Sequence, residues 1–144
     1  MIIRLAKNND VESIQQINKL TLGYDYPLPD TADRLMHILN KPNDKIFVAD
    51  DNGTVVGYIH GSDYDCIYSL PLKNIMALGV LESHRGKGIG RILLNAIEEW
   101  AKSDDCVGVR LVSSFGRTEA HKFYLSCGYI VRKDQKNFIK LFEK

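Results

Sequence analysis

Ile75-Met76-Ala77-Leu78-Gly79-Val80-Leu81-Glu82-Ser83-His84-Arg85-Gly86-Lys87-Gly88-Ile89-Gly90-Arg91 is an apolar run that breaks into a basic, glycine-rich turn and opens a helical repeat. Ile75 to Leu81 has the composition of a strand. From Gly88 to Lys102 the apolar positions Ile89, Ile92, Leu93, Ala96, Ile97 and Trp100 recur at helical spacing and predict an amphipathic helix with Trp100, Ile92 and Ile97 in the core. Gly86, Gly88 and Gly90 carry no Cβ, so the backbone there can bend sharply and approach a ligand closely. The first amides of a helix have no intrahelical acceptor, and the helix dipole adds roughly half a positive charge at that end. Arg85, Lys87 and Arg91 add full charges. The combination is an anion site suited to phosphate. Each charge-assisted hydrogen bond there is worth about 1.5–3 kcal/mol, so three or four hold a diphosphate firmly.

The letters exclude the two commonest nucleotide loops. A dinucleotide fingerprint begun at Gly86 meets Arg91 where glycine is needed, and one begun at Gly88 meets Leu93. A Walker loop needs Ser or Thr after Gly-Lys, whereas Lys87 is followed by Gly88.

Working outward, Ile2 to Leu5 reads as a strand, and Asn9 or Asp10 caps a helix bearing Val11, Ile14, Ile17 and Leu20. Thr21 to Pro29 holds Gly23, two tyrosines and two prolines and reads as a loop. Thr31 is expected to cap a second helix with Leu35, Met36, Ile38 and Leu39 on its apolar side. Ile46–Ala49 and Thr54–Ile59 are β-rich runs joined by Asn52-Gly53, a strong hairpin signal. Val107 to Val112 reads as a strand and Thr118 to Ser126 as a helix. Tyr129–Val131 and Phe138–Phe142 read as a closing antiparallel pair. The order β-α-α-β-β-β-α-β-α-β-β interleaves elements without strict βαβ alternation. It predicts an α+β fold, one domain over residues 1–144, with a mixed, mostly antiparallel sheet flanked by helices on both faces.

Composition bounds the function. With 144 residues, one core is the natural size. Lys and Arg number 19 against 18 Asp and Glu, a net charge of +1, which argues against a broad nucleic-acid or membrane surface. No apolar run approaches the roughly 20 residues of a membrane span. The first residues meet charge at Arg4 and Lys7, too early for a signal-peptide core. Cys66, Cys106 and Cys127 form no Cys-x-x-Cys pattern, which fits a reduced, cytoplasmic setting without a bound metal.

Arg85, Gly88 and Gly90 form Arg-x-x-Gly-x-Gly after a strand ending Leu78-Gly79-Val80. Downstream, Ala120-His121-Lys122-Phe123-Tyr124-Leu125-Ser126-Cys127-Gly128-Tyr129 is similar to Ala-x-x-Phe-Tyr-x-x-x-Gly-Phe/Tyr. Together the two motifs resemble the GNAT family of acyl-CoA-dependent N-acyltransferases, and the resemblance covers essentially the whole chain. It implies acetyl transfer from acetyl-CoA to a primary amine by direct attack. The turn Arg85–Arg91, Ile89 included, would cradle the diphosphate of coenzyme A, and the backbone of Leu78, Gly79 and Val80 would pair with the pantetheine arm and donate to the oxyanion. Tyr124 aligns with the family's general acid. Many members carry Asn where this chain has Arg117, so Arg117 enters the cofactor site by position alone. The resemblance also implies a homodimer.

The general base stays open among Glu82, the nearest carboxylate after the strand, Asp63, Asp65, His60, His84 and a water chain. Asp25, Asp30, Asp63 and Asp65 would suit a cationic amine, and Tyr24, Tyr26, Pro27 and Pro29 an acceptor wall. Polyamine, aminoglycoside, amino acid, peptide N-terminus and lysine side chain all remain acceptors. The alternative reading is a CoA-binding sensor or assembly module that performs no chemistry.

Overall fold

The computed structural model describes residues 1–143. Residues Met1–Val112 form one compact unit, and a second, smaller one begins at Ser113. The first unit holds a five-stranded sheet in sequential order: β1 (Ile2–Leu5), β2 (Asp44–Asp51), β3 (Thr54–Tyr64), β4 (Leu72–Val80) and β5 (Gly108–Leu111). The first three pairings are antiparallel and β4 with β5 is parallel, the mixed α+β sheet the element order predicts. The β2–β3 turn falls at Asn52 and Gly53, both at positive φ, as a tight hairpin with right-handed strand twist demands.

Helices cover both faces. On one lie α1 (Val11–Ile17) and α2 (Leu28–Leu39), where Ile14, Ile17 and Leu35 pack with Ile46, Val48, Val55 and Tyr58. On the other lies α3 (Ile89–Ser103), whose buried side chains Ile89, Leu93, Ile97, Trp100 and Ala101 follow the 3.6-residue repeat. Its fit to the sheet is close: a Cβ at Gly61 would stand 2.8 Å from Ile97 Cδ1. Full burial of side chains such as Leu93 and Ile97 contributes about 1.5–3 kcal/mol each. Ile92 is 46% exposed rather than in the core, because it falls off the buried stripe by one residue.

Two further expectations need correction. Helix α2 starts at Leu28, so Pro29 lies in its first turn and Thr31 is inside the helix rather than its cap. Proline costs little there, since the amide it lacks would have no partner, and the buried Thr31 donates its hydroxyl to the Pro27 carbonyl at 3.0 Å. The predicted loop shrinks accordingly, with a π-helical turn at Asn18–Leu22 closed by Gly23 at φ 77°. In the second unit α4 (Thr118–Ser126) forms as expected. Tyr129–Val131 and Phe138–Phe142 do not form strands, and Phe138, Ile139, Leu141 and Phe142 are exposed. A strand exists only with a ladder partner, and β-propensity supplies none by itself.

The β1–α1 corner is held by charge. Arg4 donates from both terminal nitrogens to Asp10 at 2.9 Å, and the Lys7 amide donates to the same carboxylate at 2.8 Å. Asp10 is buried, and the Arg4 guanidinium holds its carboxyl below the ordinary value despite burial. Asp10→Ala leaves Arg4 with Asp50 alone at 3.1 Å and takes the acceptor from the Lys7 amide, so it is expected to cost about 1–3 kcal/mol in urea unfolding. A depressed carboxyl stabilises above its unfolded pKa and loses that contribution as pH falls through the folded one. The gap between wild type and Asp10→Ala should therefore narrow below about pH 4; a gap unchanged with pH would contradict this.

Candidate active site

Lys73 and Gly79 are both odd-numbered on β4, yet they face opposite sides of the sheet. The Lys73 ammonium lies 3.8 Å from the Trp100 ring centroid on the α3 side, bonded to Asp63 (2.5 Å) and Asp104 (2.6 Å). Gly79 faces the α1 side, where a Cβ would come within 2.6 Å of Thr21 Oγ1 and 2.7 Å of Ile17 Cγ2. The reversal arises between Ile75 and Ala77: Gly61 pairs with Ile75 and His60 with Ala77, leaving Met76 as an extra residue. A one-residue bulge flips every later side chain to the other face.

At the same point β4 loses its other neighbour. The β4–β5 pairing runs from Leu72–Gly108 to Ile75–Leu111 and stops. Among the described residues, Met76 to Val80 have no strand on that side, an open backbone edge of about 16 Å. The edge leads straight into the glycine turn. Arg85 is tied back to it, with Nε donating to the Val80 carbonyl at 3.2 Å, and the Leu81 amide donates to the Val56 carbonyl at 2.8 Å.

Gly86 and Gly88 adopt φ of 78° and 80°, the left-handed conformation that glycine alone enters cheaply, and neither has an atom within 4 Å of where a Cβ would stand. Gly88 is the N-cap of α3, and the first helical bond runs from the Ile92 amide to the Gly88 carbonyl. The amides of Ile89 and Gly90 thus sit in the first turn, where the helix itself offers them no acceptor. Ile89 can offer only its amide, because its side chain is buried. Gly90 differs from the other two glycines, lying within the helix without positive φ. Arg85 and Lys87 are exposed beside this turn. Residues 78–91 therefore fit a ligand with an extended polar arm and a doubly charged anionic group. The chain belongs to the acetyltransferase (GNAT) family. That family's model matches residues 11–129.

The acetyltransferase is 28% identical over 144 residues to an uncharacterized N-acetyltransferase of Methanocaldococcus jannaschii, covering 99% of this chain and 85% of that one. It is 33% identical over 109 residues to an N-alpha-acetyltransferase of Saccharolobus solfataricus, covering 71% of this chain and 63% of the relative. Its fold superposes with a TM-score of 0.85 on the aminoglycoside acetyltransferase AAC(6')-Iy in complex with a CoA-linked bisubstrate analogue, at 21% identity and 98% of each chain.

The remaining residues singled out from sequence divide between the two units. Tyr124 and Arg117 are on α4 and at its N-cap, in the second unit. Burial pushes the Tyr124 phenol above its ordinary value, with the nearby Arg117 charge opposing that rise. Its ring lies edge-on to Phe123 and Tyr129 at centroid distances of 5.2 and 5.8 Å. In the first unit, three of the five side chains considered as a base are engaged: His60 with Asp44 at 2.7 Å, His84 with Asp51 at 3.0 Å, and Asp63 with Lys73. Glu82 is exposed in the short helical turn that follows β4. Sequence reasoning missed the π-helical turn over Gly79, where Tyr58 donates its hydroxyl to Asn18 and Thr21 donates to the Ile17 carbonyl at 2.7 Å. The single available signal was a glycine inside an apolar strand, which marks close approach by another segment.

Proposed function

We propose that the acetyltransferase moves an acetyl group from acetyl-CoA straight to a primary amine, with the acyl donor laid along the open edge of β4. The β5-side edge of Met76–Val80, which no strand among the described residues covers and which runs into the Gly86–Gly88 turn, carries this reading. First-turn amides, Arg85 and Lys87 hold the diphosphate, with Arg91 at the same helix end. The amides of Leu78 and Val80, which alternate away from β3 while that of Gly79 faces Tyr58, pair with the pantetheine arm, and one of them donates to the oxygen on which charge develops. Arg117 is retained as a cofactor contact by its place in the motif, and its charge also acts on the Tyr124 phenol.

The amine must arrive neutral, which costs about 4–5 kcal/mol for a lysine-like group at pH 7. Its proton passes to Glu82, directly or through water, Glu82 being the carboxylate that follows β4 and forms no ion pair among the described residues. The nitrogen lone pair forms the C–N bond, the C–S bond breaks, and Tyr124 protonates the departing thiolate. A phenol that burial keeps protonated through neutral pH suits that task.

The same proposal takes residues 1–144 as one working domain in the cytoplasm, acting as a homodimer. No helix among the described residues is long and apolar enough to cross a membrane. The three cysteines are unpaired, and the exposed Phe138, Ile139, Leu141 and Phe142 suit burial against a second copy. Its acceptor is a small-molecule or peptide amine. Free-thiol release from acetyl-CoA, followed across polyamine, aminoglycoside, amino acid, peptide N-terminal and lysine acceptors, should rise above background for at least one class. Tight acetyl-CoA binding without amine-dependent thiol release from any of them would contradict the reading and favour a sensor.

A further inference from the structure

On the N-terminal side of the bulge at Met76, the face of the sheet opposite α3 carries a group that acetyl transfer does not explain. Asn74 neighbours Lys73 and so points away from Trp100, and it pairs in register with Arg110 of β5. Arg110 Nη1 donates to Asn74 Oδ1 at 2.5 Å, and the guanidinium carbon stacks 4.2 Å from the Tyr64 ring centroid. The side chain is held on one face by an aromatic ring and on one edge by an amide, a fixed orientation for a planar donor fork.

What it lacks is a counter-charge. No carboxylate among the described residues lies within ion-pair distance of Arg110, although Arg4 and Lys73 each have two. Its Nε is shielded from solvent and has no hydrogen-bond acceptor. A half-buried guanidinium without a carboxylate is costly unless a ligand supplies the missing partner. Arg110 also stands one residue before the end of the β4–β5 pairing, beside the gap that opens at Met76.

We propose that Arg110, oriented by Asn74 and Tyr64, binds a carboxylate of the acceptor, so that the amine acetylated is the N-terminus of a peptide with an acid a few residues along. This inference rests on the acetyl-transfer reading and names its substrate class. From Asn74 to Leu78 is four residues, about 13 Å of strand, and an extended peptide advances about 3.3–3.6 Å per residue. With the reach of the arginine side chain, the acid falls two to four residues from the reacting amine. A free amino acid, whose carboxylate adjoins its amine, is too short to bridge the two points.

The test uses purified full-length protein, acetyl-CoA and peptide amides differing at one position: Ala-Ala-Glu-Ala and Ala-Ala-Gln-Ala. A third peptide, Ala-Ala-Ala with a free carboxyl end, separates a side-chain acid from a chain-end acid. Wild type should prefer a carboxylate peptide over the Gln peptide by roughly 10- to 100-fold in kcat/KM, the worth of one charge-assisted pair, with the difference in KM. In Arg110→Gln the Glu and Gln peptides should come within about twofold of each other, and Arg110→Lys should restore a preference of several-fold. Should Arg110→Gln fail to fold, Asn74→Ala keeps the charge, releases its alignment and should reduce the preference several-fold.

A wild type indifferent to the carboxylate, or a preference that survives Arg110→Gln, overturns the proposal. So does acetylation of neutral amines with none of these peptides accepted, an outcome that leaves acetyl transfer standing. Acetyl-CoA binding with no amine acetylated overturns the underlying activity and this inference with it.

Discussion

Tyr124→Phe should lower kcat by on the order of 10²–10⁴-fold while leaving acetyl-CoA affinity within about twofold of wild type. The variant removes one oxygen and keeps the ring that lies edge-on to Phe123 and Tyr129, so the packing of α4 survives. What disappears is the proton for the leaving sulfur. Without it the thiolate departs as a bare anion, and each 1.36 kcal/mol added to that barrier is a factor of ten in rate. The pH profile gives a second readout. Burial raises the phenol above its ordinary 10.0, and a group that acts when protonated fails only as pH rises through its folded pKa. Wild-type kcat should therefore hold or rise up to about pH 9, as the acceptor amine loses its proton. Unchanged turnover in Tyr124→Phe would remove Tyr124 from the mechanism and leave the donor site untouched.

Gly88→Val should weaken acetyl-CoA binding by about 100-fold or more. Gly88 caps α3 at φ 80°, and nothing lies within 4 Å of the position a Cβ would take, so crowding is not the cause. A branched residue resists the left-handed conformation by roughly 1–2 kcal/mol. The backbone relieves that strain by rotating, and the first-turn amides turn with it. Three or four hydrogen bonds to one anion depend on that alignment, each worth about 1.5–3 kcal/mol. Gly53→Val is the matched control. Gly53 has φ 94° and is equally open, but it sits in the β2–β3 hairpin. It should lose a comparable amount of thermal stability and keep acetyl-CoA affinity. Equal losses of affinity in both variants would mean that Gly88 acts through stability alone.

The parts legible in the sequence are those whose physics is local. The hairpin at Asn52-Gly53, the apolar repeat of α3, the start of α4 at Thr118 and the left-handed glycines at 86 and 88 are each decided within a few residues. What was hidden depends on partners distant in the chain. The bulge at Met76 exists only against β3, and the free edge of β4 only because β5 ends at Leu111. The fit of Gly79 under Thr21 joins segments nearly sixty residues apart. The pairing of His60 with Asp44 and His84 with Asp51 likewise could not be read from spacing. Tyr129–Val131 and Phe138–Phe142 failed as strands for the converse reason: their composition favours β structure, but the described chain gives them no ladder.

Isothermal titration of wild type with acetyl-CoA and, in parallel, with S-acetylpantetheine addresses the anion site most directly. The two ligands share the thioester and the arm that lies along β4, and only the first carries the diphosphate. Acetyl-CoA should bind at least about 100-fold more tightly, with its advantage shrinking as salt is raised, since it rests on charge. Equal affinity for the two ligands, or no heat with acetyl-CoA at millimolar concentration, would contradict the assignment of Arg85–Arg91 as the diphosphate cradle.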